Sequence, residues 1–409
     1  MTRALLLIAL TVILGGGAQA SPRPAPHKLL VISVDGLDWR YLRDADALGL
    51  KIPNLRKLAA EGEAADGVVG VAPTITWPSH TSIITGVRPD QHGVTTNARL
   101  GAPLTESVWS TRVLKVPTLY DCVAKAGRTS AAITWPTTVD ANVTWNLPEY
   151  FLRRNGGSMD LKGVAQTATP GLVDAIAQDY PSFRQQWVDD RTRALATLHL
   201  LRKRQPDLIL LHFVDLDSEA HDQGPFETNA NAILERTDEL IGDFLRVLPA
   251  DYRVAVVSDH GFERVDRVVN PRVLLAQAGV QGQIEGRAGL VVTTSPAAAA
   301  FLRQASGKPE TGVGREVPFA ELARFVPDAT KDMVAFEPAP HTQFGRGEGA
   351  DLFTAPHEKG AHGFWPLRAN YRSTYVLWGP GVKPRRLPEL DMLDLKDRLA
   401  AAADLSCGN

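Results

Sequence analysis

The sequence predicts an α/β fold in which a doubly wound, largely parallel central sheet carries helices on both faces. Segments typical of buried strands alternate with helical segments through most of the 409 residues, and this alternation is characteristic of parallel sheets. Hydrophobic residues make up 44% and charged residues 22% of the chain. That composition is usual for a globular protein with a large buried core.

The first part of the chain contributes two strand–helix units. Residues 29–34 are a continuous run of leucine and β-branched residues with one serine, short enough for a buried parallel strand. The segment Pro53 to Glu61 starts with proline and is followed by glycine, which predicts a helix with both its ends marked. Further on, we predict a helix over Pro117 to Ala126 and a strand over Ser130 to Trp135.

The middle of the chain repeats this order. A long amphipathic stretch from Gln186 to Arg204 precedes a predicted strand over Leu208 to Val214. A predicted helix over Asn231 to Leu248 then leads into a strand over Arg253 to Ser258. In open sheets of this kind, ligands bind beyond the carboxyl ends of the strands, so the residues after each strand are the first candidates for a site.

Residues 279–360 are less regular and are predicted either as a small subdomain inserted late in the main domain or as a set of long loops. They contain a predicted strand, Gly289 to Thr294, and a predicted helix, Pro296 to Ala305. The glycines at 345, 347 and 349 follow no clear strand and lack the lysine and hydroxyl of a phosphate loop, so we interpret them as loop. We expect a late return strand over Tyr371 to Leu377 and a tail at residues 401–409.

The first 20 residues have the features of an export signal. A short basic start at residues 1–3 is followed by an apolar run from Ala4 to Leu14 and by the cleavage pattern Ala18-Gln19-Ala20. The run is shorter than the roughly 18 residues of a spanning helix. We therefore expect a cleaved signal peptide rather than an uncleaved anchor or a buried strand. We also expect a linker at residues 21–27. The mature protein is then expected to be periplasmic or secreted and to have no stable membrane anchor.

Charge and cysteine content exclude several classes of function. The 44 basic and 46 acidic side chains give a net charge of −2, which lacks the basic excess of proteins that bind nucleic-acid polymers. Two cysteines cannot build a four-cysteine zinc site, so histidines and carboxylates must hold any metal. We expect Cys122 to be a buried thiol rather than bonded to Cys407, although an oxidising compartment would permit the bond. The sequence carries no signal for an oligomeric state.

Acidic and histidine residues follow three predicted strands directly, and another histidine lies between glycines late in the chain. They are Asp35 after the first strand, Asp215, Asp217 and His221 after the strand from Leu208, Asp259 and His260 after the strand from Arg253, and His362. One Asp-Gly after a strand is usually only a turn. Three acidic strand ends at one sheet edge would repel each other unless cations neutralised them. Mixed imidazole and carboxylate ligands suit zinc best, with manganese or iron as alternatives.

A nucleophile candidate lies at the start of a predicted short helix that ends at Gly86. The stretch reads Thr76-Trp77-Pro78-Ser79-His80. A hydroxyl at a helix N-terminus lies among free backbone N–H groups and near the positive end of the helix dipole, which favours a phosphate. An ordinary threonine or serine cap explains the spacing better, unless a metal ion activates the hydroxyl. The G-x-S-x-G pattern of α/β-hydrolases is absent.

Together these motifs resemble the alkaline phosphatase superfamily and, within it, the nucleotide pyrophosphatase/phosphodiesterase family. The similarity runs in order from about residue 28 to about residue 366 and implies an alkaline phosphatase-like catalytic domain over residues 28–400. It implies two divalent metal ions, most consistent with Zn²⁺, and a covalent phospho-threonine intermediate on Thr76. The implied ligands are Asp217, His221 and His362 for one ion, and Asp35, Thr76, Asp259 and His260 for the other.

One departure from the family concerns the substrate contacts. The family's diesterases commonly have asparagine where this chain has Ser79, and serine reaches a phosphate oxygen less well than an asparagine amide does. Trp77 occupies the aromatic position beside the nucleophile, where it either stacks on a leaving-group ring or packs internally. We predict Ser79 and Trp77 as substrate contacts and small phosphate diesters or nucleotide pyrophosphates as substrates. A phosphate monoesterase of the same superfamily and a non-catalytic binding module are the alternatives.

Overall fold

A computed structural model of the chain describes residues 26–105, 107–155, 158–184, 187–345, 349 and 351–407. The predicted signal peptide, most of the predicted linker, Gly347 and the last two residues of the predicted tail lie outside these ranges. Within them, no helix has both the length and the apolar character needed to cross a bilayer.

An eight-stranded central sheet is mixed and mostly parallel, as predicted. Its strands are β1 (Lys28–Val34), β2 (Glu63–Ala65), β3 (Ser130–Ile133), β4 (Trp145–Leu147), β5 (Leu208–Phe213), β6 (Tyr252–Val257), β7 (Tyr375–Trp378) and β8 (Arg385–Leu387). They lie in the order β8-β2-β7-β6-β1-β5-β3-β4. β1 is parallel to both β5 and β6, and β3 and β4 continue in parallel. The predicted return strand is β7, which runs antiparallel to β6 and β2.

Helices cover both faces of this sheet. They are α1 (Arg40–Arg43), α2 (Pro53–Glu61), α3 (Thr76–Thr85), α4 (Pro89–His92), α5 (Leu119–Lys125), α6 (Leu161–Thr167), α7 (Leu172–Asp179), α8 (Asp190–Lys203), α9 (Asp215–Gln223), α10 (Thr228–Val247), α11 (Pro271–Gln277), α12 (Pro296–Ala305), α13 (Phe319–Phe325) and α14 (Leu395–Ala402). Leu30, Ile32 and Val34 of β1 pack with α2, α7, α8 and α10. Leu29 and Val31 point to the other face and pack with α3, α5 and α14. The alternation of side chains along β1 therefore produces the two helical layers.

Local chemistry sets where several elements begin and end. The helices α2 and α12 have the predicted bounds. The helix α5 begins later than predicted because Thr118 caps it, its Oγ1 accepting a hydrogen bond from the N–H of Asp121. The strand β3 ends at Ile133 because Thr134 has a φ of 48°, a left-handed conformation that interrupts an extended strand.

A separate antiparallel sheet forms within residues 285–338, in the region that the sequence left open. Its strands, in spatial order, are Glu285–Arg287, Leu290–Thr293, Val334–Pro338 and Val313–Val317. One face packs on α11 and α12, and the other packs on α13. Smaller strands pair as Val68–Val69 with Leu390–Asp391, Glu263–Arg264 with Gly360–Ala361, Arg267–Val269 with Thr342–Phe344 and Phe353–Thr354, and Ser158–Asp160 with Arg154–Asn155 and Trp187–Val188. Short 3₁₀ helices span Ser107–Trp109, Thr111–Val113, Pro181–Arg184 and Met392–Asp394.

The two cysteines are bonded to each other. Cys122 of α5 and Cys407 form a disulfide, with their Cα atoms 5.5 Å apart, so the expectation of a free buried thiol at Cys122 is wrong. The side chain of Cys122 is only half-buried, and it meets the segment that follows α14. These residues are 285 positions apart in sequence. They meet because α14 packs beside α5, and the sequence around either cysteine does not predict that packing.

Candidate active site

The predicted metal ligands meet at the carboxyl ends of the three central strands. Asp35 follows β1, and Asp259 and His260 follow β6 within two or three residues. Asp217 and His221 lie on α9, which begins two residues after β5 ends. The remaining ligand candidate, His362, follows the short strand Gly360–Ala361. They form two groups of three, in each of which the ligand atoms lie within 4.8 Å of one another.

The inner group consists of Asp35, Asp259 and His260, and all three side chains are buried. Nε2 of His260 is 3.2 Å from Oδ1 of Asp35 and 3.0 Å from Oδ2 of Asp259. The other oxygen of Asp259 accepts a hydrogen bond from the N–H of Gly36 at 3.2 Å. Gly36 has a φ of 69°, which favours glycine at this turn.

The outer group consists of Asp217, His221 and His362 and is half-buried. Nε2 of His221 and Nε2 of His362 are each 3.6 Å from Oδ1 of Asp217. The two groups adjoin, because Nε2 of His260 is 4.0 Å from the same oxygen of Asp217. The rings of His260 and His362 stack with their centroids 3.7 Å apart.

Four buried atoms at the centre of this cluster have no hydrogen-bond partner among the described residues. They are Oδ1 of Asp35, Oδ1 of Asp217, Oδ2 of Asp259 and Nε2 of His260. Leaving such atoms unsatisfied is costly in a folded protein. Divalent cations bound by the two groups would satisfy these atoms and neutralise the carboxylates. The donor set of carboxylates and imidazoles also fits zinc or a similar ion.

The three histidines are oriented by their backbone neighbours. Nδ1 of His221 lies 3.0 Å from the carbonyl oxygen of Gly360, and Nδ1 of His362 lies 3.2 Å from that of Thr74. The ring of His260 makes the same kind of contact, with the carbonyl oxygen of Gly261 at 3.2 Å. A proton on Nδ1 then leaves the Nε2 lone pair facing the carboxylates, as a metal ligand requires.

The carboxylates titrate abnormally because they are buried together. Burial, followed by the negative charge of Asp35, raises the pKa of Asp217 to about 7 and that of Asp259 to about 6. Burial also acts to raise the pKa of Asp35, but the neighbouring imidazole rings of His212 and His260 hold it well below its usual value. The neighbouring acids therefore keep protons that a bound cation would displace.

The first residues of α3 and those just before it contact one residue of each group. Thr76 is the first residue of this helix and is 9% exposed. Two residues earlier, the carbonyl oxygen of Thr74 accepts hydrogen bonds from Nδ1 of His362 and from the N–H of Gly363. On the other side, Nδ1 of His80 lies 2.8 Å from the carbonyl oxygen of Thr76 and 3.6 Å from Oδ2 of Asp259. The backbone around the candidate nucleophile is thus linked to His362 of the outer group and, through His80, to Asp259 of the inner group.

The two predicted substrate contacts are largely enclosed. Ser79 is fully buried, and its hydroxyl has no hydrogen-bond partner within the described part of the chain. Trp77 is 5% exposed and packs edge-on against Trp109, with ring centroids 4.9 Å apart, and Trp109 packs in the same way on Tyr150. Substrate contact by Ser79 and Trp77 stays a prediction.

Five residues around the site were not predicted as part of it. Nε2 of His212 is 3.1 Å from Oδ2 of Asp35, and its Nδ1 is 3.2 Å from Oε2 of Glu149. Nε2 of His80 contacts the hydroxyl of Ser33 at 2.8 Å. Asn97 is exposed, and its Oδ1 accepts a hydrogen bond from the N–H of Trp77 at 3.0 Å. Only His212 carried a usable signal, as a polar residue within an otherwise apolar buried strand.

The chain is similar in sequence to a known family of phosphodiesterases and pyrophosphatases. Residues 29–363 match the family described as type I phosphodiesterase / nucleotide pyrophosphatase. Human ectonucleotide pyrophosphatase/phosphodiesterase family member 7 is 26% identical over 275 residues, which are 64% of this chain and 54% of that protein. Human bis(5'-adenosyl)-triphosphatase ENPP4 is 25% identical over 282 residues, 65% of this chain and 54% of that protein. The chain thus spans about half the length of these curated relatives.

Solved structures show the same fold. Murine ectonucleotide pyrophosphatase/phosphodiesterase 5, in an inactive form in complex with AMP, superposes with a TM-score of 0.61 at 18% sequence identity. The similarity covers 94% of this chain and 96% of that one. Human ectonucleotide pyrophosphatase/phosphodiesterase 5 gives a TM-score of 0.60 at 16% identity, covering 93% of this chain and 96% of that one.

Proposed function

Because the chain belongs to the type I phosphodiesterase / nucleotide pyrophosphatase family, we propose that it hydrolyses small phosphate diesters or nucleotide pyrophosphates at the site around Thr76. The observation that carries this proposal is the set of four unsatisfied buried ligand atoms beside the N-terminus of α3. Cations bound by these atoms would attract an anionic substrate and neutralise part of its charge. The relatives named as pyrophosphatases and phosphodiesterases support the same class of substrate.

Two divalent ions, Zn²⁺ by preference, fit the donor atoms. The outer group would hold one ion, and the inner group together with the hydroxyl of Thr76 would hold the other. When bound, ions of this kind stabilise negative charge on phosphoryl oxygens and on a leaving oxygen.

Thr76 is proposed as the nucleophile. Its Oγ1 attacks phosphorus, the bond from phosphorus to the leaving oxygen breaks, and a phospho-threonine ester forms. The hydroxyl proton passes to solvent, and the leaving oxygen takes up a proton from water. A water molecule then cleaves the ester and restores the threonine. The helix α3 is 10 residues long, and the positive end of its dipole favours the phosphate at this position.

Asn97 is placed to contribute to substrate positioning. Its Oδ1 is fixed by the N–H of Trp77, so the amide group is oriented beside the residue that follows the nucleophile. An amide nitrogen there can donate to a non-bridging phosphate oxygen. We propose that this group compensates for the serine at position 79, where the family's diesterases commonly have asparagine, with Ser79 and Trp77 completing the surroundings of the substrate.

Export is proposed as well. The first 20 residues resemble a cleaved signal peptide. The disulfide between Cys122 and Cys407 supports the same proposal, because such bonds form and persist in oxidising compartments.

The decisive variant is Thr76→Ala in protein reconstituted with zinc. We expect it to lose turnover of bis(p-nitrophenyl) phosphate by roughly 10³-fold or more, since the covalent route is removed. Thr85→Ala is the matched control, because Thr85 is a buried threonine at the other end of the same helix, and it should keep its rate. Full turnover by Thr76→Ala would refute the assignment.

A substrate panel separates the alternatives. Rates on the bis-aryl ester, on p-nitrophenyl phosphate and on dinucleotide pyrophosphates should rank diesters and pyrophosphates above the monoester. A reversed ranking would identify a monoesterase. Tight zinc binding without turnover of any of these esters would identify a binding module.

A further inference from the structure

A row of three buried charged groups lies behind the inner group. Oδ2 of Asp35 is 3.1 Å from Nε2 of His212, and Nδ1 of His212 is 3.2 Å from Oε2 of Glu149. Exposure is 0% for His212, 1% for Asp35 and 5% for Glu149. Charged residues are seldom this buried unless they are paired, so the row is a built feature of the interior.

The two oxygens of Asp35 have separate surroundings. Oδ2 faces His212, whereas Oδ1 lies 3.2 Å from Nε2 of His260 and has no hydrogen-bond partner in the described ranges. The oxygen that is satisfied is the one that points away from the ligand group. Rotation of the carboxyl group away from this orientation would break the contact with His212, so the contact fixes the direction in which the other oxygen faces an ion.

His212 can hold this orientation because its own ring is fixed on both sides. Its Nδ1 faces Oε2 of Glu149 and, at 3.1 Å, the carbonyl oxygen of Thr134. The hydroxyl of Thr134 donates back to the carbonyl oxygen of His212, and the N–H of Thr134 donates to the carbonyl oxygen of Leu147. The row is thereby attached to β5, β3 and β4, which are neighbours in the central sheet.

A second histidine–carboxylate pair elsewhere in the molecule, in which only the histidine is buried, provides a contrast. His199 of α8 is 4% exposed, and its Nδ1 lies 2.8 Å from Oδ2 of Asp179 at the end of α7. Neither residue belongs to the ligand groups. A buried histidine that contacts a carboxylate is therefore not by itself a sign of function here. What distinguishes His212 is that its second nitrogen meets a candidate ligand.

We propose that His212, held by Glu149, is a positioning residue that fixes Oδ2 of Asp35 and thereby aims Oδ1 at the inner-group ion. The inference rests on the proposed metal site and not on which ester is cleaved. Partners behind a ligand commonly change metal affinity by about 10–100-fold. The two residues therefore form a support for the inner group that the sequence motifs do not contain.

The test compares metal binding by full-length His212→Gln and Glu149→Gln with that by His199→Gln. Co²⁺ titration followed by visible absorption, and Zn²⁺ titration against a chelator, give the affinity and the ligand geometry. We expect one of two equivalents to bind about 10–100-fold more weakly in His212→Gln, with an altered Co²⁺ spectrum. The loss should be smaller in Glu149→Gln, which keeps a hydrogen-bonding group. His199→Gln should lose thermal stability with both metal affinities unchanged.

The outcomes separate this inference from the proposed function. Unchanged Kd values and spectra in both site variants, with a loss of melting temperature like that of His199→Gln, would overturn it. If His212→Gln does not fold, Glu149→Gln decides by the same criteria. Wild-type protein that binds two equivalents but hydrolyses no ester would refute the proposed function, while the shift in affinity would still support the role of His212.

Discussion

At the scale of single residues, Asp217 responds most directly to a bound cation. Its pKa of about 7 results from burial and from the negative charge of Asp35, and the charge of Asp259 raises it further. In the absence of an ion, its carboxyl group is therefore about half protonated at neutral pH. The same cluster raises the pKa of His221 to about 9, since Asp217 and Glu358 outweigh the effect of burial. An ion that binds both residues must displace both protons.

We accordingly expect zinc affinity to rise with pH between about 6 and 9. Each proton displaced contributes about a tenfold change per pH unit below the pKa of its group. His221 acts throughout this range, and Asp217 adds to the slope below about 7. Zinc titration against a chelator of known pH dependence measures this, and a pH indicator in weak buffer counts the protons released.

The variant Asp217→Asn serves as the control for this prediction. It removes the titrating carboxyl group, so the slope below pH 7 should become shallower while the affinity falls. A zinc affinity that is constant from pH 6 to pH 8 in the wild type would contradict the assignment of Asp217 and His221 as ligands.

At the scale of elements, a buried ion pair fixes the start of α9. The carboxylate of Asp190 accepts hydrogen bonds from the N–H groups of Val214 and Asp215, at 2.8 and 3.1 Å. Arg193, fully shielded from solvent, contacts the same carboxylate at 3.1 Å. Asp217 lies two residues further on, and His221 lies four residues beyond it, where one face of a helix carries both. The helix α8 thus places two ligands that it does not itself contain.

The strand Gly360–Ala361 approaches α9 closely from the other side. A Cβ atom at position 360 would lie 2.3 Å from the carbonyl oxygen of Ala220. The N–H of Lys359 donates to the carbonyl oxygen of His221 at 2.8 Å. Only glycine permits this separation, and His362 follows two residues later. The outer group therefore depends on a backbone contact.

Gly360→Ala should push this strand away from α9 and separate His362 from Asp217. We expect about a tenfold or greater loss of zinc affinity at the outer group and a destabilisation of about 1–3 kcal/mol, as for overpacked sites. Zinc titration and thermal unfolding measure the two effects.

Gly286→Ala is the matched control for the strand variant. A methyl group added at position 286 would have no neighbouring atom within 4 Å, so both measurements should match the wild type. Wild-type zinc affinity in Gly360→Ala would show that the outer group tolerates movement of this strand.

The parts of the site that could be predicted are those that follow strands. Asp35, Asp217 and Asp259 come after runs of buried apolar residues, and the sheet order brings such strand ends together. Glu149 and Asn97 could not be found in this way, because they lie in irregular segments that only the tertiary fold brings to the site. Their roles depend on packing rather than on a local pattern.

At the scale of the whole molecule, the fold class could be predicted because a run of apolar residues marks each central strand. The covalent link between Cys122 and Cys407 could not be predicted in this way. Its two ends belong to α5 and to the segment after α14, and both helices pack on the face of the sheet that carries α3. The bond therefore links elements of the helical layer that contains α3.

The double variant Cys122→Ser/Cys407→Ser should unfold about 2–4 kcal/mol more easily, because a long loop is no longer closed in the unfolded chain. Urea unfolding with and without reducing agent measures this. The reductant should destabilise the wild type and leave the double variant unchanged. Hydrolytic rates at about 25 °C should be similar in both, since neither cysteine belongs to the ligand groups; a large loss of rate would contradict this separation.

The disulfide also separates the proposed site residues into two parts of the chain. It closes residues 122–407 into a covalent ring that contains Asp217, His221, Asp259, His260 and His362. Asp35 and Thr76 lie before the ring, in the N-terminal part of the chain, whose strand β1 belongs to the same sheet. A proteolytic nick inside the ring leaves both pieces covalently joined, whereas a nick in the arm between Thr76 and Cys122 leaves the proposed nucleophile attached by folding alone.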